Sequence, residues 1–244
     1  MGWIREWRRR PIRRRPFPPR WAAIIDEYTS FDSAIPSDRH PKFHADLMVF
    51  EHEKTFIGAN DFEVTEEVRV VISAAAVRLV VYLDVSYFDR VSEIIVYPSA
   101  FLHPGDDTVI LGQVSDWNTV VLSWQAVVEG LRNPHDGHDT ATHEFAHVLD
   151  RASGAFDGTP VLRAREDYAV WAKTLSERFL QLRKGGRRKR RLLRDYAATN
   201  EAEFFAVATE VFFEQPRLMQ RVAPDLYREL KRFYGDPAAA RPAG

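Results

Sequence analysis

The chain has 244 residues, 45% of them hydrophobic and 28% charged, with a formal net charge of −1. Those proportions allow a sizeable buried core, and no apolar run approaches the roughly 18–20 residues that a membrane-spanning helix requires. Cysteine is absent, which excludes disulfides and thiolate metal sites.

The charge is unevenly spread. Residues 1–20 hold eight arginines and one glutamate, and the run 184–191 holds six basic residues, so the body of the chain is strongly acidic. Basic appendages of this kind attract nucleic acid or anionic lipid, or dock on the acidic body itself. Arginine and proline alternate along residues 1–20, which reads as a basic disordered segment without the apolar stretch of a secretory signal. Cytoplasm is the default compartment. A single domain over 21–236 and a flexible tail over 237–244 are expected to follow.

Phe43, Leu47 and Phe50 fall at helical spacing and predict a helix over about 38–54. "IGANDFEV" (57–64) reads as a turn-rich break. Thr65 is a good N-cap for a buried helix opening on Glu66 and Glu67, which suit the positive end of its dipole. "SEIIVYP" (92–98) and the Val120–Ser123 stretch of "DWNTVVLSW" read as strands. The loop between them leaves room for a short strand at 108–111. Helices are expected over 139–150, about 163–183, 199–214 and 222–234. The fold class is therefore α+β, mostly helical around a small central sheet.

The first of those helices carries the chemistry. "THEFAHVLD" (142–150) places His143 and His147 four apart, on one face of a helix, so both can aim a ring nitrogen at one tetrahedral Zn²⁺. Glu144, one residue round, points beside that ion, where a general base toward a metal-activated water belongs. Phe145, Ala146, Val148 and Leu149 make the helix a buried one, and buried histidines beside a glutamate are costly without a partner. Thr140 or Thr142 can cap its start.

A catalytic zinc needs a third protein ligand. Asp150 lies on the right face but about 10 Å along the helix. Asp157 could return past the Gly154 turn, while His135 and His138 flank a turn and read as exposed. The stronger candidates are Glu203 and Glu210 in "DYAATNEAEFFAVATEVFFEQP" (195–216), two turns apart on a helix that is otherwise nearly all apolar. Such carboxylates need a cation or donors; the competing reading is a solvated acidic stripe. Thr199 or Asn200 can cap this helix.

Taken together, "HEFAHVLD", "DGTP" and "YAATNEAEFFAVATEVFF", with "IIVYPSAF" (94–101) and "VVLSW" (120–124) in the same order, resemble the Mlc titration factor A family of glucose-regulated bacterial metallopeptidases over roughly residues 40–235. "YAATNEAEFF" is also similar to the second zinc motif of anthrax lethal factor, whose catalytic domain is related in fold. The resemblance implies a zincin-like domain with one catalytic zinc. It makes His143, His147 and Glu203 the ligands, Glu144 the general base and Tyr196 the phenol that stabilises the developing oxyanion. It leaves Glu210 and Asp150 to orient ligands from behind. It implies aminopeptidase-type cleavage of short peptides or, as an alternative from another class, sequestration of a transcriptional repressor. The two basic segments are not features of that family, and contact with nucleic acid or a membrane surface through them is a weaker possibility.

Overall fold

Glu93–Tyr97 (β2) and Thr119–Ser123 (β6), both expected as strands, pair in parallel at the centre of a four-stranded sheet. The structure is a computed structural model and describes residues 2–30, 34–102, 109–110, 112–115, 118–185 and 192–236. Thr55–Gly58 (β1) joins β2 in parallel, and Gly112–Ser115 (β5) lies antiparallel to β6 at the other edge. The register sets Ile94 beside Val120 and Val96 beside Leu122. All four are completely buried, as strands covered by helices must be. Phe101–Leu102 (β3) and Val109–Ile110 (β4) form a separate antiparallel pair, so a short strand is present near 108–111.

The β1–β2 crossover runs through Glu66–Arg78 (α4), whose Thr65 cap accepts the Val68 N–H. His40–Glu53 (α3) packs on α4. Trp124–Arg132 (α5) leads into Thr140–Arg151 (α6), and Asp167–Lys184 (α7) precedes Glu201–Glu214 (α8). Pro216–Val222 (α9) and Pro224–Tyr234 (α10) follow α8. Helices α6 and α8 lie against each other in the interior, and α6 also packs on β5 and β6. Each residue of α6 from Thr140 to Asp150 is buried. This is the mostly helical, zincin-like arrangement with a small sheet that the sequence implies. No helix among the described residues is long and apolar enough to cross a membrane.

Several local expectations change. The break at 57–64 begins inside β1, because Thr55–Gly58 finds β2 as a partner. Asp139, rather than Thr140 or Thr142, caps α6, its carboxylate accepting from the Thr142 N–H at 3.0 Å. An aspartate is the stronger cap, and Arg78 holds it at 2.9 Å. Asn200 caps α8 by accepting from the Glu203 N–H at 2.9 Å.

The largest correction concerns residues 1–20. Gly2–Arg13 (α1) and Pro19–Tyr28 (α2) are helices, not a disordered segment. Pro11 costs α1 a backbone hydrogen bond. Tertiary contacts offset it. Arg9, only 1% exposed, donates a bidentate pair to Glu53 at 2.9 and 2.7 Å and a third bond to Asp89. Arg5 pairs with Asp89, Arg13 with Asp46, and Ile12 is buried. Burial opposes the charge on Arg9, but Glu53 and Asp89 outweigh it and push the guanidinium pKa up. The partners lie 33 to 84 residues away in sequence, beyond the reach of any local pattern. Residues 186–191 of the second basic run and the tail 237–244 lie outside the described residues.

Candidate metal centre

Helices α6 and α8 bring three side chains to one point. His143 Nε2 lies 3.0 Å from Glu203 Oε2, His147 Nε2 lies 3.4 Å from the same oxygen, and the two imidazole Nε2 atoms are 3.1 Å apart. His143 and His147 are buried, and Glu203 is partly open to solvent. Despite these short distances, Glu203 Oε2 is a buried oxygen without a hydrogen-bond partner. The lone pairs of two imidazoles and a carboxylate converge in low dielectric only around a positive charge, which is either a proton on His143 or a bound cation. A cation bound by two nitrogens and an oxygen meets that need, and the donor set suits zinc. Among the described residues, this is the one group of histidine and carboxylate side chains whose ligand atoms fall within 4.8 Å of each other.

Behind His143 the site is anchored by charge. Its Nδ1–H donates to Glu210 Oε1 at 2.7 Å, which leaves Nε2 as the atom that faces Glu203 and would take a metal. Glu210, fully buried, also accepts from the Asp139 N–H at 2.8 Å and from both Arg194 nitrogens at 2.8 and 2.7 Å. One carboxylate thus ties the start of α6, a histidine ring and the segment before α8. Burial would raise Glu210, but His143 and Arg194 hold its pKa below the usual carboxylate range. Nothing in the local sequence marks Arg194, because its partner is 16 residues on.

His147 is held differently. Its Nδ1 and Asp150 Oδ1 are both buried without a hydrogen-bond partner. Asp150 therefore does not accept a proton from a ligand ring; its Oδ2 accepts from the Gly158 N–H at 2.9 Å. Burial raises the Asp150 carboxyl to about 6. Gly158 has φ +76°, and a Cβ there would meet Glu201 O at 2.6 Å, so the "DGTP" turn is pressed against the start of α8. Phe156 of the same loop, 44% exposed, stands 5.1 Å from the His147 ring and forms a wall that the sequence does not advertise. Asp157 is exposed and accepts from Thr159 N–H at 3.1 Å, and His135 and His138 are exposed as well.

Glu144 is buried beside the cluster, on the side of edge strand β5. Gly112 of β5 comes so close that an added Cβ would lie 2.6 Å from Glu144 Cγ and 2.7 Å from its Oε1. Only a bare backbone leaves room for that carboxylate. If Glu144 is the general base, Gly112→Ala is expected to keep the metal yet lower kcat/KM by about 10²-fold, because the displaced carboxylate would no longer meet its proton. Metal content and steady-state kinetics on the same preparation check this.

Tyr196 lies in the turn Asp195–Ala198, half exposed, with its ring 5.9 Å from that of His143. Partial burial and the charge of Glu203 push its phenol up to about 12, so it stays a neutral donor.

The chain matches the model of the glucose-regulated metallopeptidase family M90 over residues 4–235. It belongs to that family. An uncharacterized protein of Synechocystis is 36% identical, covering 95% of this chain and 89% of its own length. Mlc titration factor A of Pectobacterium atrosepticum is 30% identical over 85% of this chain and 83% of its own length. The protein of that name from Yersinia pestis is 29% identical over 78% and 74% respectively. The protein is an M90 metallopeptidase, and the match begins within α1 rather than near residue 40, so the amino-terminal helices are part of the family pattern.

In the metal-free M90 site the proton balance is set by carboxylates. Burial would lower His143, but Glu203 and Glu210 outweigh it and hold its pKa at about 10. Burial pushes His147 down. A histidine raised by folding stabilises the metal-free protein fully below its unfolded value near 6.5, and that contribution is lost as pH rises through about 10. An incoming metal must displace the same proton. Apparent metal affinity is therefore expected to climb by up to about tenfold per pH unit between pH 7 and 9, with one proton released per ion. Calorimetric titration in buffers of different ionisation enthalpy measures that proton; pH-independent affinity would contradict the assignment.

Proposed function

We propose that this M90 metallopeptidase is a zinc-dependent peptidase acting on short peptides in an aminopeptidase-type manner, in the cytoplasm. The observation that carries the proposal is the convergence of His143 Nε2, His147 Nε2 and the unpartnered Glu203 Oε2, with Glu144 alongside. His143, His147 and Glu203 would hold the ion, which when bound supplies Lewis acidity and lowers the pKa of a water toward neutrality. Glu144 takes the proton from the attacking water and returns it to the leaving amine. The Tyr196 hydroxyl, on the open side, donates to the carbonyl oxygen as that oxygen gains charge. Glu210 fixes the His143 ring so that Nε2 faces inward. The restriction to the amino end rests on the family resemblance and on the acidic character of the body, which favours a free amine.

A second reading is favoured by the name of two relatives, Mlc titration factor A. On that reading the chain binds and sequesters a transcriptional repressor, with peptidase activity secondary or latent. The two roles are compatible, although binding alone gives no reason for Glu144 beside a ligand pair. Turnover of a panel of aminoacyl and short-peptide substrates, by chelated protein and after zinc is restored, separates them. Zinc-restored cleavage of unblocked but not N-acetylated peptides is the expected result. Zinc binding without any turnover would move the reading to the repressor.

A further inference from the structure

Helix α1 (Gly2–Arg13) divides its residues sharply between two sides. The inner side is committed: Arg9 and Arg13 are engaged with Glu53, Asp89 and Asp46, and Ile12 enters the core. The outer side carries Trp3 and Trp7, 76% and 67% exposed, with Ile4 at 44%. Tryptophan is usually well covered in a folded protein, so two open indoles one turn apart on one helix require a reason. Arg10 and Arg14, both exposed, continue the same line. At 3.6 residues per turn, positions 3, 7, 10 and 14 fall within an arc of about 60° if the helical winding is carried through residue 14. Glu6, paired with Arg9 and Arg13, lies about 40° beyond one edge of the arc and exposed Arg8 about 100° beyond the other, so the arc itself bears no acidic residue. The docked inner side fixes the helix to the body, so this face is presented in one orientation.

We infer that the outer face of α1 is a peripheral docking surface for a bilayer rich in anionic lipid headgroups. Indole rings are amphipathic and settle at the boundary between headgroups and acyl chains, while guanidinium groups pair with phosphates. Aromatic insertion and a basic patch are the two signals that reversible attachment needs. A nucleic-acid surface would use the arginines, but nothing in phosphate binding calls for two adjacent indoles on one helix. Docking would hold the peptidase at a membrane surface without a spanning segment.

The test is co-sedimentation of the full-length protein with vesicles of phosphatidylcholine alone and of an equal mixture with phosphatidylglycerol. Binding is expected only to the mixed vesicles, weakening as salt is raised, with a blue shift of tryptophan emission. Trp3→Ala/Trp7→Ala and Arg10→Gln/Arg14→Gln should each lower the partition coefficient about tenfold or more. The circular dichroism and Tm of both should be unchanged, because these side chains lie outside the core. Absence of binding to mixed vesicles at low salt would overturn the inference. So would binding that the tryptophan pair does not affect, or tighter, tryptophan-independent binding to a short DNA duplex.

Discussion

Glu144→Gln is expected to retain one metal ion per chain and to lose activity by about 10³- to 10⁴-fold in kcat. Glutamine matches the shape of the carboxylate in the narrow space left by Gly112, where a Cβ at position 112 would lie within 2.9 Å of the side chain. Packing should therefore be preserved and Tm little changed. What is removed is the capacity to take a proton from water and return it to the leaving amine. His143, His147 and Glu203 are untouched, so the metal should remain. Loss of metal in this variant would place Glu144 among the ligands rather than beside them. Metal analysis and steady-state kinetics on one preparation decide between the two.

Glu210→Ala is expected to weaken metal binding by about 10- to 100-fold and to cost about 2–4 kcal/mol of stability. The carboxylate accepts from His143 Nδ1, from the Asp139 N–H at the head of α6 and from Arg194. Its removal strands a buried backbone donor and a largely covered guanidinium, and it frees the His143 ring to rotate. Glu210→Gln separates these effects. An amide can still accept from Asp139, but its neutral group no longer balances Arg194 or favours the Nδ1–H tautomer. It should recover part of the stability and little of the metal affinity. Urea unfolding and competitive metal titration read the two quantities independently; full metal affinity in Glu210→Ala would show that His143 needs no support from behind.

Much of this centre is visible in the sequence because its parts obey short-range rules. His143 and His147 share a helix face by spacing alone. Glu203 stands out as a carboxylate on a helix of phenylalanines, valines and alanines. Thr65 and Asn200 announce helix starts by residue type. The parts that stay hidden depend on distant partners. Arg194 is one arginine among many until α8 folds back beside it. Gly112 sits in a stretch of weak pattern, and its role follows only from the approach of β5 to α6. Asp150 has the right position on the helix to serve His147 yet turns to the Gly158 N–H, a choice made by the loop rather than the helix. Residues 1–20 look unstructured because α1 is held by carboxylates far along the chain, and Arg9 is buried only in their company.

The most direct measurement is zinc stoichiometry, after dialysis at fixed free zinc, of the wild-type chain and of Glu203→Ala. One ion per chain in the wild type, and almost none in the variant with its circular dichroism unchanged, is the expected result. A variant that keeps its zinc, or a wild-type chain that takes up none when supplied, would contradict the His143, His147 and Glu203 site.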